Sequence, residues 1–134
     1  MRIAVASRDG KTVSGHIGKC PNWIVFEVTF SETDEKDLVI TEVERITLPK
    51  ELIFHHYKDD RPHPLNECAA VIGKSCGESF KTKMDKRGID TVMTAETDPT
   101  KAVIDYANNS IVPPKPRPIG ELVCKLHDAL SRHD

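Results

Sequence analysis

The stretch that decides the fold is residues 68–95, which read CAAVIGKSCGESFKTKMDKRGIDTVMTA. Its first part, Cys68–Gly73, is a short apolar run with the length and composition of a buried strand. Phe80 and Met84 follow four residues apart, which places them on one face of a helix. The run Asp90–Ala95 then repeats the strand pattern. Strand, helix and strand in this order indicate an α/β fold.

The segments on either side extend this pattern. Arg2–Ser7 (RIAVAS) predicts a buried first strand, and Trp23–Phe30 with Leu38–Leu48 predicts a β-hairpin whose tip is acidic. Asp98 and Pro99 supply an N-cap and a first-turn proline for a second helix. A hairpin followed by two strand–helix units predicts a layered α/β domain with a mixed sheet.

Composition limits the classes of function. The chain has 134 residues, of which 38% are hydrophobic, so one domain with a real core is expected. Lys and Arg total 19 against 21 Asp and Glu, and no basic block stands out, which argues against nucleic acid and anionic membranes as partners. The apolar runs are too short for a signal segment or a membrane span, so we expect a cytoplasmic protein.

The C-terminal part has a different pattern. Val112–Pro118 holds four prolines in seven residues, which predicts an extended spacer between a body at 1–112 and a tail at 119–134, with 113–118 as the linker. Five apolar residues in the tail have helical spacing: Ile119, Leu122, Val123, Leu126 and Leu130. A helix this short needs a surface to pack on. We expect that surface to be the body, a second copy in a homodimer, or a partner protein.

The loop after the first strand is the first candidate site. Gly10 and Gly15 are spaced as in a phosphate-binding P-loop, but His16 stands where that motif requires lysine. The loop instead presents His16 next to Gly15 and close to Gly18, with Cys20 four residues later. Imidazole and thiolate both suit iron, zinc and copper. The competing interpretation is that Cys20 packs under the loop and His16 faces solvent.

Cys76 is the second candidate, because it lies where a strand turns into a helix. A thiol at a helix N-terminus is expected to have a lowered pKa, which favours both metal binding and nucleophilic attack. A cysteine hydrolase would additionally need an imidazole from His55, His56 or His63, which lie in the long proline-containing loop 49–66. Cys68 opens an apolar strand and is expected in the core.

The segments MRIAVASRDGKTVSGHIGKCPNWIVFEV and CAAVIGKSCGESFKTKMDKRGIDTVMTAETDPTKAVIDY resemble the NifX/NifB-type nitrogenase cofactor-binding domain family, the dinitrogenase iron–molybdenum cofactor biosynthesis domain. The similarity covers about residues 1–112. It implies a ribonuclease H-like three-layer α/β/α sandwich with a five-stranded mixed sheet, to which this chain adds a C-terminal helix. His16 matches the histidine of the family's S-G-H-x-G motif, and Gly73 and Gly77 match the glycines of its strand–helix turn.

The resemblance also implies a function, which is to carry an iron–sulfur or iron–molybdenum cluster, or its precursor, without catalysis. Together with the soft-ligand residues of the two loops, it leads us to expect a metal site on one sheet edge, at His16 with thiolate from Cys76 or Cys20. The wider cofactor-binding set adds three glycines beside these residues and two histidines of the 49–66 loop: Gly15, Gly18, Gly77, His55 and His56. Nitrogenase-assembly proteins are the expected partners. The alternatives are a small cysteine- or metal-dependent enzyme and a non-catalytic adaptor that binds proteins.

Overall fold

The computed structural model describes residues 1–30 and 38–108. It contains five strands and two α-helices over that range: β1 (Arg2–Ala6), β2 (Asn22–Phe30), β3 (Leu38–Thr47), β4 (Ala70–Gly73), α1 (Glu78–Lys86), β5 (Asp90–Met93) and α2 (Pro99–Ala107). Two short 3₁₀ turns lie at Ile17–Lys19 and Lys50–Leu52. The linker and tail predicted for 113–134 lie outside the described residues.

The sheet is mixed, as predicted, with strand order β3-β2-β1-β4-β5. β1 pairs antiparallel with β2 and parallel with β4, while β2–β3 is antiparallel and β4–β5 is parallel. α1 connects the parallel strands β4 and β5, as crossover helices commonly do. The carboxyl ends of β1 and β4 therefore lie side by side, and the loops that follow these two strands meet at one edge of the sheet.

Each face of the sheet is covered by one helix. Phe80 and Met84 of α1 pack with Val25 and Val71 on the first face, where residues of the 49–66 loop complete the layer. Ala102 and Val103 of α2 pack on the opposite face. The described chain thus forms three layers, because the alternating side chains of the central strands are apolar on both sides. The ribonuclease H-like assignment itself stays a prediction.

The boundaries differ slightly from those predicted. The strand predicted at Cys68–Gly73 begins at Ala70, and the one predicted at Asp90–Ala95 ends at Met93. The predicted N-cap of α2 is confirmed, since the Asp98 carboxylate accepts hydrogen bonds from the backbone N–H groups of Thr100 and Lys101. Such end effects are expected, because apolar residues continue past the last ladder hydrogen bond.

The outer strand β3 carries a β-bulge. Val25 pairs with Glu44 and Phe26 pairs with Glu42, so Val43 is an extra residue on the β3 side. Val43 is one of the exposed large apolar residues among those described. None of the described helices is long and apolar enough to cross a membrane.

Candidate functional site

The loop after β1 is shaped by Asp9. Its carboxylate accepts hydrogen bonds from the backbone N–H groups of Lys11 at 2.9 Å and Thr12 at 2.8 Å, and from the Thr12 hydroxyl at 2.8 Å. These hydrogen bonds hold the pKa of Asp9 far below its usual range, and the bond from the Thr12 backbone N–H contributes most. Asp9 therefore fixes the tight turn from which the His16 segment starts.

The His16 segment is attached to the loop after β4. The His16 N–H donates to the Ser75 hydroxyl oxygen at 2.8 Å, and the Ile17 N–H donates to the Ser75 carbonyl at 3.0 Å. From the other side, the Arg8 guanidinium donates to the carbonyl of Gly15 at 2.6 Å. The two loops that sequence analysis singled out are thus joined by the sheet topology.

Close approach of the two loops requires a glycine at position 73. A Cβ atom on Gly73 would lie 1.8 Å from Ile17 Cγ2 and 3.1 Å from the Ser14 carbonyl oxygen. Ile17 is fully buried at this contact. The last residue of β4 must therefore lack a side chain, because the 3₁₀ turn that begins at Ile17 packs directly against its backbone.

His16 has a left-handed backbone conformation, with φ 49° and ψ 53°. That region is uncommon for residues other than glycine and costs free energy when a side chain is present. The imidazole is exposed to solvent. A strained, exposed histidine that the surrounding hydrogen bonds hold in place is typical of a functional position.

The structure places Cys20 away from His16. Its side chain is fully buried, its thiol donates to the Asn22 carbonyl at 3.1 Å, and its own carbonyl accepts from the Trp23 indole N–H at 3.0 Å. Burial raises the pKa of Cys20, which keeps the thiol protonated. The alternative in which Cys20 packs under the loop and His16 faces solvent is the arrangement found in this structure.

The predicted lowering of the Cys76 pKa is wrong. The helix α1 begins at Glu78 with Gly77 as the N-cap, so Cys76 lies outside the helix. Its side chain is half-buried against the core on the sheet face that α1 covers. Burial raises the pKa of Cys76, and the negative charge of Glu78 adds to this effect. Desolvation is therefore the largest influence on the pKa of this thiol.

The histidines of the 49–66 loop fall into two classes. His63 is buried and stacks on the Phe54 ring with centroids 4.1 Å apart. Its Nδ1 accepts from the Leu65 N–H at 3.1 Å, so Nε2 carries the proton and donates to the Leu52 carbonyl at 2.7 Å. His63 is thus a structural residue, and burial lowers its pKa. His55 and His56 are exposed, with ring centroids 5.0 Å apart.

A cleft of about 380 Å³ lies between the His16 loop, the 49–66 loop and α1. Its lining consists of His16, Gly18, Lys19, Phe54, His55, Gly77, Ser79, Phe80 and Lys83. The predicted residues His16, Gly18, His55 and Gly77 are therefore brought together. Gly15 is held against Ser75 beside the cleft, and the thiols of Cys20 and Cys76 are not part of its described lining.

The Phe54–His55 peptide is held at both ends across this cleft. The Lys83 ammonium donates to the Phe54 carbonyl at 2.9 Å, and the His55 N–H donates to the Gly18 carbonyl at 2.8 Å. These two bonds attach the 49–66 loop to α1 on one side and to the His16 loop on the other. They explain how a segment with three prolines and no α-helix forms an ordered wall.

Three polar residues of the cleft were not predicted as site residues: Lys19, Ser79 and Lys83. Lysine and serine are common on surfaces, and nothing in their spacing marks these three. Lys83 lies on the helix face next to the buried Met84, and only the fold shows that this face borders the His16 loop. Its half-buried position is the property that distinguishes it from the exposed lysines of α1.

The described residues contain no group of three or more His, Cys, Asp and Glu side chains placed to hold a metal ion. His16, Cys20 and Cys76 are accordingly not assembled into one site in this structure, because both thiols pack against the core. Joint ligation by the three residues stays a prediction and requires the loops to rearrange when a ligand binds.

Comparison with known proteins identifies the family. The model of the family described as dinitrogenase iron-molybdenum cofactor matches residues 1–109. The chain belongs to this family. Its membership confirms the resemblance and associates the domain with nitrogenase metalloclusters. No curated protein matches the sequence.

Solved structures share the fold at low sequence identity. The crystal structure of PH0822 is 16% identical with a TM-score of 0.55, covering 86% of this chain and 97% of the other. The "putative dinitrogenase" mj0327 of Methanocaldococcus jannaschii is 14% identical with a TM-score of 0.51, covering 87% and 97%. At these identities the likeness shows the fold alone.

Proposed function

We propose that this protein binds an iron–sulfur or iron–molybdenum cluster, or a precursor of one, and carries it during metallocluster assembly for nitrogenase. The observation that carries the proposal is His16, an exposed imidazole on a strained backbone at an open cleft, in a domain of the dinitrogenase cofactor family. Imidazole nitrogen is a suitable ligand for iron. Nitrogenase-assembly proteins would be the donors and acceptors.

The remaining ligands come from the same region. His55 lines the cleft and His56 is its neighbour, so the 49–66 loop offers imidazoles opposite His16. Cys76 directly precedes Gly77, which lines the cleft, and its sulfur would reach a bound cluster only after this turn rearranges, because the side chain packs against the core. An open cleft with few fixed ligands suits a carrier, which must release its cargo.

A carrier needs no catalytic constellation, and the geometry of Cys76 supports that role. Among the described residues no imidazole is hydrogen-bonded to Cys76, so the thiol lacks there a general base that would activate it as a nucleophile. We therefore expect no turnover of thioesters, phosphoesters or peptides. A hydrolytic activity that disappears in Cys76→Ser would establish the enzyme alternative instead.

The test is anaerobic reconstitution of the full chain with iron, molybdate and sulfide, followed by metal and sulfide analysis and absorption spectra. We expect the wild-type protein to retain a coloured cluster through gel filtration. His16→Ala and Cys76→Ala should each lower the cluster content. Lys81→Ala, at an exposed position of α1 outside the cleft lining, is the control that should not.

Cys20→Ala separates two ligand sets in the same experiment. The structure predicts unchanged loading, because the Cys20 thiol is buried and bonded to the Asn22 carbonyl. Loss of cluster in a folded Cys20→Ala protein would show that the loop opens to recruit this thiol. Full loading of both the His16 and Cys76 variants would rule out the cleft as the binding site.

A further inference from the structure

The charges around the cleft differ from those of the whole protein. The chain has two more acidic than basic residues. The cleft, in contrast, is lined by Lys19, Lys83 and the two imidazoles of His16 and His55, and none of its lining residues is Asp or Glu. A concave surface with one sign of charge concentrates ligands of the opposite sign.

Lys83 is a fixed cation in this cleft. It is half-buried and its ammonium donates to the Phe54 carbonyl, which leaves two further N–H donors on the same nitrogen. Lys19 lies on the opposite wall, in the 3₁₀ turn that follows His16. Within residues 1–30 and 38–108 neither lysine forms an ion pair with a carboxylate. Among the described residues, their charges are therefore not balanced by a carboxylate.

The wall between the lysines is apolar. Phe54 and Phe80 meet edge to face with ring centroids 5.3 Å apart, and both line the cleft. Apolar walls lower the local dielectric constant, which strengthens the attraction between the ammonium groups and a negatively charged ligand. The same walls offer contact to the polarisable atoms of such a ligand.

We propose that the cleft selects multiply charged anions, with Lys19 and Lys83 as the residues that recognise the charge. The proposal rests on the proposed function in one respect, that the natural anion is the cluster cargo. The sulfide atoms of the cluster would accept hydrogen bonds from the lysine N–H groups. Charge recognition of this kind holds cargo without adding metal–protein bonds. Cargo delivery by ligand exchange then needs to break few bonds.

The experiment measures anion binding with and without a cluster. Citrate binding to the full chain is titrated calorimetrically at low ionic strength for the wild type, Lys19→Gln, Lys83→Gln and Lys81→Gln. We expect Lys19→Gln and Lys83→Gln each to weaken citrate binding about three- to tenfold. The variant that carries both substitutions should weaken it by nearly the product of the two single effects. Lys81→Gln, an exposed position on the same helix, should stay within about twofold. Circular dichroism confirms folding, and Lys83→Arg should restore binding.

Cluster loading is then measured for the same variants at low and high potassium chloride. Loading that falls with salt and with loss of either lysine supports both proposals. Loading that is insensitive to salt and to both substitutions overturns charge selection while the carrier function stands. Lysine-dependent citrate binding without any cluster loading overturns the carrier function and leaves the anion site. Wild-type citrate binding that equals binding by the double variant overturns the anion site.

Discussion

Gly73→Ala tests whether the contact between β4 and the Ile17 turn builds the site. The added Cβ would lie 1.8 Å from Ile17 Cγ2, and carbon atoms pack at about 3.5–4.0 Å, so the turn must move by about 2 Å. The new methyl group cannot easily shift aside instead, because it would also lie 3.1 Å from the Ser14 carbonyl oxygen. Overpacking of a buried contact costs about 1–3 kcal/mol, and we expect the upper end, about 3 kcal/mol.

The assay is urea unfolding, with a double-mutant cycle to locate the clash. Ile17→Ala alone should cost about 2–5 kcal/mol, because the side chain is fully buried. In the Gly73→Ala background the same change removes the clashing methyl group, so its cost should fall by at least about 1 kcal/mol. Gly77→Ala is the control: nothing lies within 4 Å of its Cβ, and the cost should stay below about 1 kcal/mol.

Two results would refute this reasoning. One is a free energy of unfolding for Gly73→Ala within about 0.5 kcal/mol of the wild type, which would mean that the turn moves freely. The other is additivity of the two substitutions, which would place the damage elsewhere than at Ile17.

Three further predictions concern pH, a helix cap and the tail. Burial lowers the pKa of His63 in the folded state, so the unfolded chain takes up the proton first as the pH falls. Stability should be nearly constant between about pH 7 and 8 and should fall below about pH 6.5, by at most about 1.4 kcal/mol per pH unit. Urea midpoints from pH 7.5 to 5.5 should show this fall in the wild type and a flatter profile in His63→Gln. Asp98→Ala removes the N-cap of α2 and should lower the free energy of unfolding by about 1 kcal/mol, whereas an unchanged value would show that the cap is dispensable. Deleting residues 113–134 should leave the circular dichroism of the sheet domain intact but change the oligomeric state measured by light scattering or the binding of a partner. Global unfolding would show that the tail is part of the core.

The fold could be predicted largely from the sequence, because its signals are local. The apolar run of β4, the Phe80–Met84 spacing and the Asp98-Pro99 cap each specify their own element. The order of the elements then restricts the topology to a mixed sheet with crossover helices. What the local signals could not specify is the 49–66 loop, whose order depends on contacts with α1 and the His16 loop.

The site was only partly predictable for a related reason. His16 stands out by its glycine-rich loop, but the state of a thiol depends on tertiary burial. Cys20 and Cys68 are both buried, and burial raises the pKa of Cys68 to about 11. Burial was the expected state of Cys68, because that residue opens an apolar strand, whereas for Cys20 it was one of two competing interpretations. Lys83 became visible only when the helix was placed beside the loop.

The bulge in β3 has a consequence for behaviour at high concentration. β3 is an edge strand of ten residues with exposed Val39 and Val43, a composition that would otherwise template pairing with strands of other molecules. The extra residue at Val43 interrupts the regular row of backbone donors and acceptors, and Glu42 and Glu44 add negative charge on either side of it. Sheet-to-sheet polymerisation is thereby disfavoured at the outer edge, so removing Val43 to restore a regular strand should promote fibril formation.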